Sequence, residues 1–216
     1  MTAATRICFV RHGETAWNAA QRIQGHKDLP LNESGLEQAL GVGQYFNKMT
    51  VAALYCSDLQ RAQQTAATIA AALNMPPVLL AALRERNFGR FEGMTYGEVF
   101  SASEDNARAL KERHPDYVLP GGGESLNQHL QRTLDCIEQL VDAHPGQIIV
   151  VVTHGGVLDL IYRRANGLPL ESARDFPIPN TGINWLSICG VQWTVESWAE
   201  TAHLGERGAI ELVGSI

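Results

Sequence analysis

The sequence predicts an α/β fold, a three-layer α/β/α sandwich around a mostly parallel central sheet, and three observations carry that expectation. Short apolar runs alternate with stretches of helical period along most of the chain. The two strongest runs, Ile7-Cys8-Phe9-Val10 and Ile148-Ile149-Val150-Val151-Val152, are apolar without a break, as strands buried on both faces are. Each run then delivers a histidine followed by glycine: Arg11-His12-Gly13 in the first, Thr153-His154-Gly155-Gly156 in the second. Ligands of open α/β sheets sit at the carboxyl ends of strands, which puts these residues at the mouth of a pocket.

Taken in order, the first strand leads into a polar loop from Thr15 to Leu31 that carries Asn18, Arg22, Gln24 and His26. A helix is predicted from Asn32 or Ser34, with Leu36, Ala39, Leu40 and Gly43 on its apolar or small face. Val51 to Cys56 reads as a short strand. Ser57 or Asp58 is the expected cap of an alanine-rich helix that runs to about Leu73 and ends in Asn74-Met75-Pro76-Pro77. Val78 to Leu83 is a third strand or an edge segment, leading into Arg84-Glu85-Arg86. Residues 94–123 break the alternation: they are polar and mixed, with two short helices, and end in Pro120-Gly121-Gly122-Gly123. They read as an excursion over the pocket within one domain spanning 1–216. A long helix follows, about Ser125 to Ala143, with Leu126, Leu130, Leu134, Ile137 and Val141 along one face. After the turn signal His144-Pro145-Gly146 come the second His-Gly strand and a helix from about Gly156 to Asn166. Asn180 to Cys189 and Trp193 to Trp198 form a terminal strand pair turning near Gly190; from Thr201 on there is no clear pattern.

The chain has 216 residues, 45% hydrophobic and 19% charged, enough for a sizeable core. Its net charge of −6 gives no support for nucleic-acid binding or for attraction to an anionic membrane, so an anionic substrate needs a local cationic focus. No apolar stretch approaches the ~20 residues of a membrane-spanning helix, and the first residues show no signal-peptide pattern. The cysteines Cys8, Cys56, Cys136 and Cys189 have no close pair and no metal-ligand spacing. Three of them, Cys8, Cys56 and Cys189, fall in strand-like runs and read as small buried hydrophobes in a reducing cytoplasm.

Several short motifs fall in one order: Arg11-His12-Gly13-Glu14-Thr15, Asn18, Gln24-Gly25, Ser57-Asp58-Leu59-Gln60-Arg61-Ala62 with Gln64-Thr65-Ala66, Glu85-Arg86 with Phe88-Gly89 and Glu92-Gly93, and Thr153-His154-Gly155-Gly156. In these motifs, over roughly three quarters of its length, the chain resembles the histidine phosphatase superfamily, the phosphoglycerate-mutase-like phosphatases. The resemblance implies the same fold. It also implies His12 as nucleophile, since a neutral imidazole can attack phosphorus and split one hard step into two. Arg11 and Arg61 would neutralise the phosphoryl oxygens through their guanidinium forks. His154 would donate a hydrogen bond to the same group, and Glu85 would be the general acid. Asn18, Gln24, Gly25 and Gly155 would contact substrate. Glu14 reads instead as a residue that ties the first loop down.

No metal and no other cofactor is expected, because arginines and imidazoles can supply the positive charge; Gly121-Gly122-Gly123-Glu124-Ser125 lacks the lysine of a P-loop. The expected partner is a small-molecule phosphate monoester. Dimers are common in that family, and the sequence marks no interface. Three functions stand open at this point: a phosphomonoesterase acting through phospho-His12, a cofactor-dependent phosphoglycerate mutase, and a catalytically silent phospho-ligand binder. The stretch from Gly93 to Gly123 has no Arg-Arg pair and no proline cluster of the mutase kind, which favours hydrolysis.

Overall fold

Buried apolar runs and alternating helices assemble as expected in the computed structural model, which describes residues 3–209. The strands are β1 (Thr5–Arg11), β2 (Ala53–Cys56), β3 (Val78–Leu79), β4 (Ile148–Thr153), β5 (Ile183–Cys189) and β6 (Gln192–Glu200). The helices are α1 (Ala16–Ala19), α2 (Glu33–Phe46), α3 (Gln60–Leu73), α4 (Tyr96–Ala102), α5 (Glu104–Lys111), α6 (Leu126–Ala143) and α7 (Gly155–Asn166). The sheet order is β3-β2-β4-β1-β5-β6. The first four in that order pair in parallel, while β5 and β6 add an antiparallel edge.

Because successive strand residues point to opposite faces, β1 and β4 feed two cores. Ile7, Phe9, Ile149 and Val151 pack against Cys136, Ile137 and Leu140 of α6 and Val157, Leu158 and Ile161 of α7. Cys8, Val10, Val150 and Val152 pack on the other side against Val42 and Phe46 of α2 and Ala62, Ala66 and Ile69 of α3. That is the three-layer sandwich. A smaller cluster of Ile23, Phe91, Val99 and Leu119 lies beneath the segment 94–123, whose two short helices are α4 and α5. Among the described residues no helix is long and apolar enough to cross a membrane.

Local details differ from the sequence expectation. The buried side of α2 is Gly35, Ala39, Val42, Gly43 and Phe46, whereas Leu36 and Leu40 are 47% and 60% exposed. Small residues win because neighbours come close: a methyl group on Gly43 would lie 2.9 Å from the Thr68 carbonyl of α3. On α6 the buried side is Leu126, His129, Thr133, Cys136, Ile137 and Leu140, so Leu130, Leu134 and Val141 flank it. Neither Ser57 nor Asp58 caps α3. Its N-cap is Leu59, and the Gln60 N–H is taken by Asp28 Oδ1 at 2.6 Å from the distant first loop. The third run gives only the two-residue β3 and then a 3-10 turn, Ala81–Leu83. Cys8, Cys56 and Cys136 are buried, but Cys189 at the last position of β5 is exposed. A 3-10 segment, Ala202–Ala209, follows β6 where no pattern was expected.

These faces make a prediction about stability. Phe46→Ala should cost about 3–5 kcal/mol, as truncation of a fully buried aromatic does, while Leu40→Ala should stay within about 0.5 kcal/mol. Urea unfolding of the two variants checks it, and comparable losses would return Leu40 to the core.

Candidate active site

Parallel pairing of β1 and β4 places Arg11 beside Thr153, so the next residues, His12 and His154, emerge side by side with ring centroids 5.1 Å apart. The His12 backbone is held from several sides: its N–H donates to the Thr153 carbonyl at 2.9 Å, and its carbonyl accepts from Asn180 Nδ2 at 2.8 Å. Gly13 is required by proximity, since a methyl group there would sit 2.5 Å from the Gly35 carbonyl at the start of α2. The His12 Nδ1–H donates to the Gly13 carbonyl at 2.7 Å, which leaves Nε2 with the lone pair. Arg61 Nε points at that nitrogen from 3.3 Å. Burial, then the Arg61 and Arg11 guanidiniums, hold the His12 pKa well below 6.5, outweighing the Gly13 bond that raises it. His154 is lowered in the same way, by burial first and then by Arg61, His12 and Arg11.

Arg61 is fully buried in the first turn of α3. Its remaining donors reach the carbonyls of Lys27 at 2.9 Å and Gly25 at 2.8 Å, so the first loop aims the guanidinium. Burial pushes its pKa down to about 10. Arg11 donates to the Ile178 carbonyl at 2.6 Å, and its Nε is 3.5 Å from where a methyl group on Gly155 would be.

Glu85 lies at the amino end of α7. Its Oε2 accepts the Gly156 N–H at 2.9 Å and its Oε1 accepts the Arg86 N–H at 2.8 Å. A Cβ at Gly156 would meet Glu85 Oε1 and would require that carboxylate to move. The flanking arginines turn away from this carboxylate. Arg84 makes a bidentate pair with Asp58 at 2.7 and 2.6 Å, and Arg86 Nε donates to the Glu124 carbonyl at 3.0 Å.

The other sequence candidates divide. Asn18 Oδ1 accepts the Thr15 N–H at 3.1 Å in a capping box at α1, and buried Gln24 Oε1 accepts the Thr15 hydroxyl at 2.9 Å, so both side chains brace the loop. Gly25 supplies the carbonyl to Arg61. Glu14 Oε1 accepts from Asn32 Nδ2 at 2.6 Å, tying the loop to α2. From the segment 94–123, Tyr96 stands within electrostatic reach of Glu85, Arg86, Arg113 and Arg174. Arg108 pairs with exposed Asp105, and Lys111 lies over Phe100.

Three features had no local signal. Ser57 Oγ is 2.7 Å from His154 Nε2. Asp159 on α7 binds Arg163 of its own helix at 3.0 Å and Arg113 of the excursion at 2.5 Å. His129 on α6 is buried beside Gly156, with its Cε1 3.2 Å from a methyl group built there. The helical count could have put His129 on the buried side only by passing over the leucines around it.

Two strand-end imidazoles, two guanidiniums and a carboxylate gather on one edge of the sheet, a set chemically suited to phosphoryl transfer. The chain belongs to the histidine phosphatase superfamily (branch 1), whose profile matches residues 7–201. It is 40% identical over 209 residues to phosphoglycerate mutase-like protein 4 of Arabidopsis thaliana, covering 95% of this chain and 89% of that one. It is 37% identical over 209 residues to the metal-independent phosphoserine phosphatase of the same plant, covering 96% and 86%. Among solved structures it is similar to YhfR of Bacillus stearothermophilus, with TM-score 0.86, 30% identity, and 93% and 100% of the two chains covered.

The buried imidazoles set a pH dependence of stability. His12, His129 and His154 all have pKa values held well below 6.5 in the fold, burial being the largest cause in each. On acidification the unfolded chain gains these protons near pH 6.5 while the folded chain does not, so stability is full above that pH and falls below it. Each contributes a slope of up to about 1.4 kcal/mol per pH unit. Urea midpoints measured from pH 7.5 to 5.5 should fall, and His129→Gln should remove about one proton from the slope. A flat profile in wild type would contradict the buried neutral state.

Proposed function

We propose that this protein is a metal-independent phosphomonoesterase that hydrolyses small phosphorylated metabolites through a phosphohistidine on His12. The observation that carries the reading is the state of His12: Nδ1–H is committed to the Gly13 carbonyl, and the Nε2 lone pair faces Arg61. In the first step Nε2 bonds to phosphorus as the ester P–O bond breaks, and Glu85 gives the leaving oxygen its proton. In the second, water attacks the phosphohistidine, Glu85 takes its proton, and the P–N bond breaks to release phosphate. Arg11, Arg61 and His154 offset the charge on the equatorial oxygens, an arrangement fixed before substrate arrives. Asn18, whose carbonyl oxygen braces the loop, has its NH2 left as the group for a substrate oxygen; Gly155 brings the start of α7 against Arg11.

The relative named a metal-independent phosphoserine phosphatase supports the absence of a metal requirement. Buried Arg61, with no carboxylate ion pair among the described residues, and Arg11 beside it supply the local cationic focus that a chain of net charge −6 needs for an anionic ester. Residues 94–123 serve as the cover that sets specificity within a single domain. Its Arg113 is tied to Asp159 and to the Leu170 carbonyl at 2.6 Å, and its Arg108 faces solvent, so no arginine pair of that segment clamps an acceptor acid as a mutase would need. Free cysteines at all four positions fit a cytoplasmic protein.

Incubation with labelled phosphate ester and an alkaline quench should trap label on His12. His12→Ala should lose at least ~10³-fold in turnover, since nucleophile and positioning groups act as one unit. EDTA should leave wild-type turnover unchanged. Phosphate release should dominate over 2-/3-phosphoglycerate interconversion. Interconversion faster by ~10-fold, about 1.4 kcal/mol in barrier, would make the mutase the better reading.

Glu85→Gln separates acid catalysis from a purely structural carboxylate. It should hurt alkyl phosphates far more than p-nitrophenyl phosphate, whose leaving group departs without a proton. Equal losses on both would remove Glu85 from the proton transfer.

A further inference from the structure

Ser57 stands at the end of β2, fully buried, where a helix cap was expected. Its Oγ lies 2.7 Å from His154 Nε2 and accepts the Leu59 N–H in a longer contact of 3.4 Å. A serine hydroxyl that accepts from an amide keeps its own hydrogen to give, and a bare imidazole Nε2 at 2.7 Å is an acceptor within its reach. The sheet order then fixes the rest. Strand β4 lies between β2 and β1, so a ring whose Nε2 turns toward the end of β2 presents Nδ1 toward the end of β1. His12 stands there, 5.1 Å away between centroids, with Arg61 at its Nε2. His154 Nδ1 is buried and has no hydrogen-bond partner among the described residues. A buried polar atom without a partner is costly unless a ligand supplies one.

We propose that Ser57 is a positioning residue: its hydroxyl donates to His154 Nε2, keeps the ring proton on Nδ1, and so makes His154 a hydrogen-bond donor toward the phosphoryl group held at His12. The opposite tautomer would aim a lone pair at phosphoryl oxygens and would add repulsion where charge develops. The consequence for catalysis rests on the phosphatase reading above; the tautomer does not.

Two measurements test it. In protein labelled with 15N-histidine, long-range proton–nitrogen spectra at pH 7.5 should show His154 protonated at Nδ1 and bare at Nε2, the signals being assigned by their loss in His154→Gln. Ser57→Ala should lower kcat for p-nitrophenyl phosphate by roughly 10–100-fold, less than the ~10²–10³ of losing a preorganised donor outright, with KM changed little. In a His154→Ala background the same substitution should cost less than about twofold more, because its effect runs through the imidazole. Equal losses in both backgrounds, or a wild-type spectrum with the proton on Nε2, would overturn the proposal. If Ser57→Ala does not fold, the wild-type spectrum decides alone. A wild-type protein that releases no phosphate from any ester would sink the phosphatase reading and leave the spectrum to judge Ser57.

Discussion

His12 and His154 face one another because β1 and β4 run parallel in a register that sets Arg11 against Thr153. Every group of the site is placed from that pair. The ladder continues past the strand ends, through His12 N–H to Thr153 and Ser57 N–H to Val152, at 2.9 and 3.0 Å. The residues that leave the sheet are therefore as fixed as those within it. A slip of one residue would exchange the two faces of β1, bringing Ile7 and Phe9 where Cys8 and Val10 belong and turning His12 away. Two separate cores oppose that slip, since the alternate residues of both strands are fully buried on both sides. The precision of the site is thus a consequence of burial on two faces, and a sheet with one wet face would hold it less well.

Within that frame the charges are deliberately left unbalanced. Among the described residues Arg61 has no carboxylate pair; it spends its donors on carbonyls and on His12. The carboxylates that could neutralise it are engaged elsewhere. Glu92 takes the His26 N–H at 2.8 Å, Asp28 takes Gln60, and Glu85 is held by two amides. Glu85, Asp28 and Glu92 favour the Arg61 charge only from a distance; a buried guanidinium with no direct ion pair costs stability, and a dianion at this edge is a species that would offset it. Burial first, and the field of the guanidiniums second, keep both imidazoles neutral. The Arg61 and Arg11 charges thus favour an anion at this edge of the sheet and add to burial in keeping both imidazoles neutral.

How much of this could be read in advance depends on the range of the interaction. Strand ends, the two His-Gly turns and the helix over 126–143 were legible because apolar runs and the Ser125 cap are local signals. The faces of α2 were not, because a count of period favours Leu36 and Leu40 as large apolar residues. Packing kept the expected Ala39 and Gly43 but turned Leu36 and Leu40 out and brought in Gly35, Val42 and Phe46, the first loop and α3 leaving no space for a side chain at Gly35 and Gly43. The cap of α3 came from Asp28 across 32 residues, which freed Ser57 for His154 across 97. No window of sequence contains either pairing. The arginines around Glu85 show the same limit: they adjoin it in sequence, while Asp58 and Glu124 draw them off in the fold.

Those long-range contacts converge on α7. Its first amide beyond Gly155 holds the Glu85 carboxylate, and one turn later Asp159 binds Arg113 from the excursion together with Arg163. Arg132 of α6 completes the support, donating to the Arg84 and Glu85 carbonyls at 3.1 and 3.2 Å while paired with Glu124 at the foot of the same excursion. The candidate acid and the segment above it are thus fastened to common elements rather than to one another. A shift of the excursion would be felt at Glu85 through α7 and Arg132, and a rigid α7 would keep the acid in place while residues of the excursion vary. Such a division holds the sheet edge and its nearest helices fixed while Tyr96 and the side chains around it can differ without disturbing them.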